Sequence, residues 1–239
     1  MLFKTQGIVL GTSKYSDTYS ISQVFTRDFG RVSYLVPKRG RKSKIKASLF
    51  YPLSMLDMQV EHVPLRDIQR LKEVECRLPV YEGDTDMTKW SISFFLSEFL
   101  SRVLRETGRD EWLFTYLENS VETLHAATHG VANFHLAFLF GLSRCMGIYP
   151  NMDTYRTGAY FDLLNGEFVQ KQPLHPHYLS KSLSADLTLI RRINYANMHL
   201  FRLSKNDRNT IIDYLLAYYR LHLYDFPPLK SLEVLREMF

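Results

Sequence analysis

The chain has almost no cysteine: Cys76 and Cys145 are the only two in 239 residues. Two thiols cannot build a disulfide framework or a cysteine zinc site, and both are expected to be reduced and buried. Long apolar runs are missing as well, none reaching the ~18 residues of a membrane span. The opening Met-Leu-Phe-Lys-Thr-Gln-Gly lacks the apolar core and cleavage site of a signal peptide, so a cytoplasmic location is expected. Motifs of common chemistries are absent too. There is no Gly-rich phosphate loop followed by Lys-Ser/Thr, no Gly-x-Ser-x-Gly and no His-Glu-x-x-His. The carboxylates are scattered and mostly near bases, so no acid–base dyad stands out and catalysis is not expected. His125 and His129 stand at i, i+4, the spacing of two metal ligands on one helix, but no carboxylate or cysteine completes a set. No metal site is assigned to them. His175-Pro-His177 reads as an exposed polar loop.

What the sequence does hold is charge of one sign in one place. Residues 1–80 carry fourteen Lys+Arg against seven Asp+Glu, residues 81–239 sixteen against eighteen, and the two net charges, +7 and −2, give the overall +5. Much of the excess falls in one segment, where Lys38, Arg39, Arg41, Lys42, Lys44 and Lys46 occupy nine residues without an acid among them. Like charges this close repel, and a polyanion compensates them most simply. A solvated basic loop is the plainer alternative. Cations neutralise phosphates and release counterions, and nearby aromatics (Tyr15, Tyr19, Phe29, Tyr34) can stack on bases or else pack inside a small barrel.

Hydropathy patterning divides the chain near residue 80. Phe3–Thr12, Thr18–Thr26, Arg31–Val36 and Leu56–Glu61 read as strands, with Gly7 and Gly11 permitting bends or bulges and Asp28-Phe29-Gly30 as a turn. Ile68–Glu75 reads as a fifth strand, although its apolar spacing also permits a helix. Five strands in under eighty residues fit a small closed barrel of the oligonucleotide-binding (OB) type, and an SH3-like barrel gives a similar pattern. Helical spacing follows. Asp84, Thr85 and Asp86 offer an N-cap, then Ile92, Leu96, Phe99, Leu100 and Val103 form an apolar stripe that stops at Gly108. A second helix carries Leu113–Leu124 and a third Phe134–Met146, and short connections predict antiparallel neighbours in a bundle. Tyr160–Val169 around Asn165-Gly166 reads as a hairpin with a type I′ turn. Helices resume after about Leu183, one starting at a capping box of Ser204 and Asp207 and ending at Pro227-Pro228, and a last one from about Ser231. Tyr214, Tyr218, Tyr219 and Tyr224 are expected in the core and surface of the helical part.

Several blocks are recognisable. Met1–Leu10, Phe25-Thr-Arg-Asp-Phe-Gly-Arg31, the basic segment Pro37–Lys46, Phe50-Tyr-Pro-Leu, Gly147-Ile-Tyr-Pro-Asn-Met-Asp153 and Leu229-Lys-Ser-Leu232 resemble the bacterial recombination mediator and DNA repair family RecO. They stand in that family's order and span nearly the whole chain. The resemblance implies an α+β chain, with an N-terminal OB-type β-barrel in residues 1–80 and a mainly helical C-terminal domain in 81–239. A small, degenerate zinc-finger-like hairpin would be inserted at about 150–170. It further implies binding of single- and double-stranded DNA, strand annealing, and help in loading recombinase RecA onto DNA coated by single-strand binding protein (SSB). A RecR-like protein and the acidic SSB tail would be partners, RecA an indirect one, and the location nucleoid-associated.

One departure is clear. Many relatives carry two cysteine pairs around this hairpin; here Tyr155 stands about where the first cysteine would be, and Thr154–Gly158 holds none. Zinc and other cofactors are therefore not expected, and packing of Tyr155, Tyr160, Phe161 and Phe168 replaces them. The expected nucleic-acid-binding residues are Arg31, Tyr34, Lys38, Arg39, Arg41, Lys42, Lys44 and Lys46. An acidic, apolar tail needs cations beside an apolar notch, which points to Arg102, Arg105 and Arg144. An RNA-binding OB module joined to a helical interaction domain is the alternative function.

Overall fold

The computed structural model describes residues 1–38, 45–78, 86–224 and 226–238. They fall into two compact units: Met1–Ala126 with Leu229–Met238, and Ala127–Pro228. The change of pattern near residue 80 therefore marks a change of secondary structure within the first unit rather than its edge.

Five strands open the first unit: β1 (Leu2–Lys14), β2 (Tyr19–Thr26), β3 (Gly30–Pro37), β4 (Met55–Glu61) and β5 (Ile68–Leu78). They close into a barrel in the order β1-β2-β3-β5-β4, β4 pairing back onto β1. The parallel pairing of β3 with β5, Ser33 opposite Ile68, gives the OB-type order that the strand pattern alone could not separate from an SH3-like one. The segment from Ile68 is a strand, as expected. Alternate residues of β3 point inward, and Val32, Tyr34 and Val36 join Val9, Val24, Leu56, Met58 and Val60 in the core. β1 carries a bulge between Val9 and Gly11. Gly7 is needed for room instead: a Cβ there would lie 2.5 Å from both Met58 Cε and Val24 Cγ1.

Helix α1 (Met87–Val103) is capped by Asp86, whose carboxylate accepts from the Thr88 and Lys89 backbone N–H groups. Its Ser97 hydroxyl donates to the Leu10 carbonyl at 2.8 Å, laying the helix along β1. Helix α2 (Glu111–Ala126) is held on the barrel by Phe114, stacked on Phe25, and by Glu118, which accepts from Arg27 at 2.8 Å and from Arg77. Within this unit the expected antiparallel neighbour of α1, helix α2, is not its main helical partner. The main helical neighbour of α1 is α6 (Ser231–Met238), from the end of the chain. An apolar stripe specifies that a face is buried but not which element covers it.

The second unit is built on α3 (Phe134–Cys145), α4 (Lys181–Ile190) and α5 (Lys205–His222) with a small sheet of β6 (Tyr160–Asp162), β7 (Glu167–Val169) and β8 (Tyr178–Leu179) in the order β7-β6-β8. β8 was not foreseen. α5 begins at the Ser204–Asp207 capping box and ends at His222, before the two prolines. Tyr214, Tyr218 and Tyr219 are buried, the last donating to the Leu139 carbonyl at 2.8 Å, whereas Tyr224 is exposed. The hairpin turn is not type I′. Four residues separate β6 from β7, and only Gly166 among them has positive φ (+69°). The Asp162 carboxylate shapes the turn by accepting from Leu164 N, Asn165 N and Asn165 Nδ2. Phe168 packs edge-on against both Phe161 and Tyr155, at 4.9 and 5.0 Å, while Tyr160 packs on Tyr178 instead.

Candidate nucleic-acid interface

One end of the barrel collects cations and exposed aromatic rings. The β1–β2 hairpin arm reaches past the core and exposes Lys14, Tyr15 and Tyr19. Lys38, at the close of β3, is tied to that arm: its backbone N–H donates to the Thr18 carbonyl at 2.9 Å, and its ammonium to the Ser16 carbonyl. Arg39, Arg41, Lys42 and Lys44 lie outside the described residues. Lys46, exposed, precedes a short 3₁₀ turn (Ala47–Leu49). Phe50 then enters the core, its carbonyl accepting from the Thr12 hydroxyl at 3.2 Å. Lys38 and Lys46, which bracket the basic segment, thus both emerge where β1 and β2 leave the barrel.

Tyr34 does not belong to this surface. Its inward register leaves it 0% exposed in the barrel core, its hydroxyl without a hydrogen-bond partner among the described residues, so its ring is closed to bases. Phe29 is also engaged, stacked on His62 at 4.1 Å and edge-on to Phe3 at 5.4 Å. Tyr15 and Tyr19 remain open. Tyr51, Trp90 and Phe94 meet one another, Trp90 stacked on Phe94 at 5.8 Å and edge-on to Tyr51 at 6.1 Å, and were passed over in the sequence. The signal was there, a second stripe of Met87, Trp90 and Phe94 at spacings of three and four, offset from the Ile92–Leu96–Phe99 stripe that forms the core face.

Arg31 lies elsewhere. Its backbone N–H donates to the Thr107 carbonyl at 3.1 Å, which fixes the start of β3 against the turn that follows α1. Arg102 is in the last turn of α1 and Arg105 just beyond it, so these three arginines, expected at two different sites, share one neighbourhood. Partial burial, then the charges of Arg105 and Arg102, hold the Arg31 guanidinium below its ordinary pKa. A half-buried cation beside two others is an electrostatic cost that a bound anion relieves. Glu98 pairs with Arg102 at 3.7 Å, but its carboxylate also takes the backbone N–H groups of Lys230 and Ser231 and the Ser231 hydroxyl. Burial works to raise the Glu98 pKa, yet these hydrogen bonds and Arg102 keep it low, so the group stays ionised and committed to α6. Along α1 the arginine cluster stands about 18 Å from Trp90, twelve residues at 1.5 Å each. Arg144 belongs to the second unit, where it donates to the Tyr149 hydroxyl at 3.0 Å and lies over that ring.

Other surfaces suit a polyanion less well. A groove of ≈ 510 Å³ on the outside of β1, β4 and β5 sets Asp28, Asp57, Glu73 and Glu75 beside Lys4 and Arg27. In the second unit a cleft of ≈ 640 Å³ between α4 and α5 is lined by leucine and isoleucine side chains with Asp186, Arg202 and Asp207. His125 and His129 do not share a helix, because α2 ends at Ala126, and no metal-binding group of His, Cys, Asp or Glu occurs among the described residues. His175 is half-buried rather than exposed, 3.3 Å from Asp162. Both cysteines are free, and each is half-buried rather than buried. No helix among the described residues is long and apolar enough to cross a membrane.

Comparison with known proteins fits this architecture. Residues 1–79 match the family description "Recombination protein O N terminal", and residues 84–233 match "Recombination protein O C terminal". Proteins named DNA repair protein RecO are similar along the whole of both chains: 45% identical in Phocaeicola vulgatus, 42% in Bacteroides fragilis and 41% in Azobacteroides pseudotrichonymphae. With both parts matched in order and full-length relatives this similar, the chain belongs to the RecO family of DNA repair proteins.

Proposed function

We propose that this chain is a DNA-binding recombination mediator that anneals strands and helps load recombinase onto single-stranded DNA coated by SSB. The observation that carries the reading is the barrel end where Lys38 and Lys46 bracket the basic segment beside Lys14, Tyr15 and Tyr19. Cations there hold phosphates without reading sequence, and such contacts let two strands approach despite their mutual repulsion. Family membership supports a RecR-like protein and the SSB tail as partners, with RecA engaged indirectly. Arg31, Arg102 and Arg105 form a second cationic region, whose ligand is the acidic tail or a further stretch of phosphates; Arg144 is a separate candidate anchor.

Two measurements test this. Binding titrations with DNA and RNA strands of equal length should favour DNA or show no difference, and complementary DNA strands should anneal faster in the protein's presence. Preference for RNA with no annealing would replace the reading with that of an RNA-binding module, since the 2′-hydroxyl is what separates the two ligands. Capture of SSB should require its last residues and weaken when Arg102 and Arg105 are both changed to Glu. Capture indifferent to both would remove the arginines from the partner site.

A further inference from the structure

The turn between β4 and β5 holds a leucine where the backbone favours glycine. Val63-Pro64-Leu65-Arg66 closes with the Arg66 N–H donating to the Val63 carbonyl at 3.3 Å, and Leu65 has φ +68°. Proline followed by a left-handed residue is the pattern of a type II turn, whose third position strains any side chain with a Cβ. Packing does not repay that strain, because Leu65 is 105% exposed. The turn is nevertheless held firmly. Gln69, 3% exposed, accepts from the Val63 N–H at 2.9 Å, and its amide donates to the Val63 and Arg66 carbonyls at 2.9 and 2.7 Å. A strained backbone that is clamped to present an apolar side chain to solvent calls for a ligand. We propose that Leu65 is a wedge that enters between adjacent bases of DNA while Arg66 and Arg31 hold the phosphates beside it. This rests on the DNA-binding reading above and gives the second cationic region its ligand.

The fold brings this turn to the arginines. His62, before the turn, is stacked on Phe29 at 4.1 Å, and Ile68, after it, pairs with Ser33. Leu65 stands midway between the first and last of these anchors on its segment, and Arg31 midway on the other. Arg66 is exposed, and so is Arg70, which lies opposite Leu35 in the same parallel pairing. Asp67 is the one carboxylate from His62 to Arg70. The charges that bear on Arg31 are those of Arg105 and Arg102, both positive, so an anion is favoured at its side. The shape of the turn then selects among anions. An acidic, apolar peptide tail needs a notch on this chain, whereas Leu65 projects and needs a slot in its ligand. Adjacent bases open such a slot when they unstack around an apolar side chain, and a phosphate lies beside each of them.

The test uses the full chain and a DNA duplex carrying 2-aminopurine at a central step, a base whose fluorescence rises when its neighbours unstack. Leu65→Gly removes the wedge and suits the backbone, so its thermal melt should be no lower than that of the wild type. Leu65→Met keeps an apolar wedge. Wild type and Leu65→Met should raise the fluorescence on binding, and Leu65→Gly should bind more weakly and leave it flat. Arg66→Ala should reduce the steepness of the log–log salt dependence by about 0.9, the share of one phosphate. An unchanged salt dependence would remove Arg66 from the phosphate contacts. Binding by the wild type without a rise, or an equal rise with Leu65→Gly, would overturn the wedge and leave the DNA reading standing. A melt of Leu65→Gly well below the wild type's would show that Leu65 serves the fold, and would overturn it too. Failure to bind DNA at all would overturn both readings. Loss of capture of a RecR-like protein by Leu65→Gly, with the fluorescence rise intact, would reassign the turn to a protein partner.

Discussion

At the scale of single residues, burial decides more than residue type. Tyr34 carries the ring that base stacking needs, but the inward register of β3 spends it on the core, and its hydroxyl has no partner there among the described residues. Removing that hydroxyl takes away a desolvated group and no hydrogen bond. Tyr34→Phe should therefore leave stability unchanged or raise it by up to about 1 kcal/mol, with DNA affinity untouched; denaturant melts and anisotropy read both. His135 is the opposite case, a titratable group whose state matters. Full burial, and then the charge of Arg208, lower its pKa from 6.5 to about 3, so it is neutral in the folded protein. The unfolded chain takes up a proton near pH 6.5 and the folded one does so only near pH 3, so stability is full above pH 6.5 and drains as pH falls between these values. At pH 5 the loss is on the order of 2 kcal/mol. His135→Gln, whatever its stability at pH 7, should lose about that much less between pH 7 and pH 5 in paired urea melts. An equal loss in both proteins would assign the acid sensitivity to other groups.

At the scale of elements, the sequence displayed periods well and partners poorly. Period two in β3 and β4 and the helical stripe of α1 were legible because each element obeys its own geometry. Closure of the barrel was expected from five short strands, but the strand order that closes it was not legible, because it depends on β3 pairing with β5 across the basic segment and β4. Nor was the pairing of α1 with α6, which joins residues more than a hundred positions apart. The same limit hid the arginine cluster, since Arg31 and Arg105 meet only once the β2–β3 turn is seated on the turn after α1. Gly30 makes that seat. It has φ +67°, and a Cβ there would fall 2.3 Å from the Gly108 carbonyl carbon and 2.4 Å from the Thr107 carbonyl oxygen. Gly30→Ala should cost at least about 2 kcal/mol, through left-handed backbone strain and a clash with rigid backbone. A thermal melt unchanged within a degree would show that the two turns are not locked together. In the second unit the hairpin rests on Phe161, Phe168, Tyr155 and the Asp162 turn. A chelator should leave its melting temperature unchanged, and stoichiometric zinc in the purified protein would contradict that.

At the scale of the whole molecule, function follows from where the charge is not balanced. The chain as a whole is only modestly basic, but the excess belongs to its first eighty residues, and nearly all of it to one segment and its flanks. If about four of the six cations of that segment meet phosphates, the slope of log affinity against log salt for single-stranded DNA is −0.7 for each of four contacts, or roughly −3. Replacing Lys38, Arg39, Arg41 and Lys42 by Ala should flatten the slope and weaken binding to every sequence alike, because phosphate contacts carry no base information. Annealing should fall with it, since both strands have to be held close against their repulsion. Stability should change little: exposed like charges contribute little to folding, and removing them relieves repulsion. Lys38 donates to the Ser16 carbonyl and could steady the hairpin arm as well as hold a phosphate. The triple change at Arg39, Arg41 and Lys42 separates the two roles, because it spares that bond. A slope that flattens in the triple variant assigns DNA to the segment's own charges. A slope that stays near −3 in a folded quadruple variant would move the main phosphate track to another surface, and the arginine cluster at the far end of α1 would be the next place to mutate.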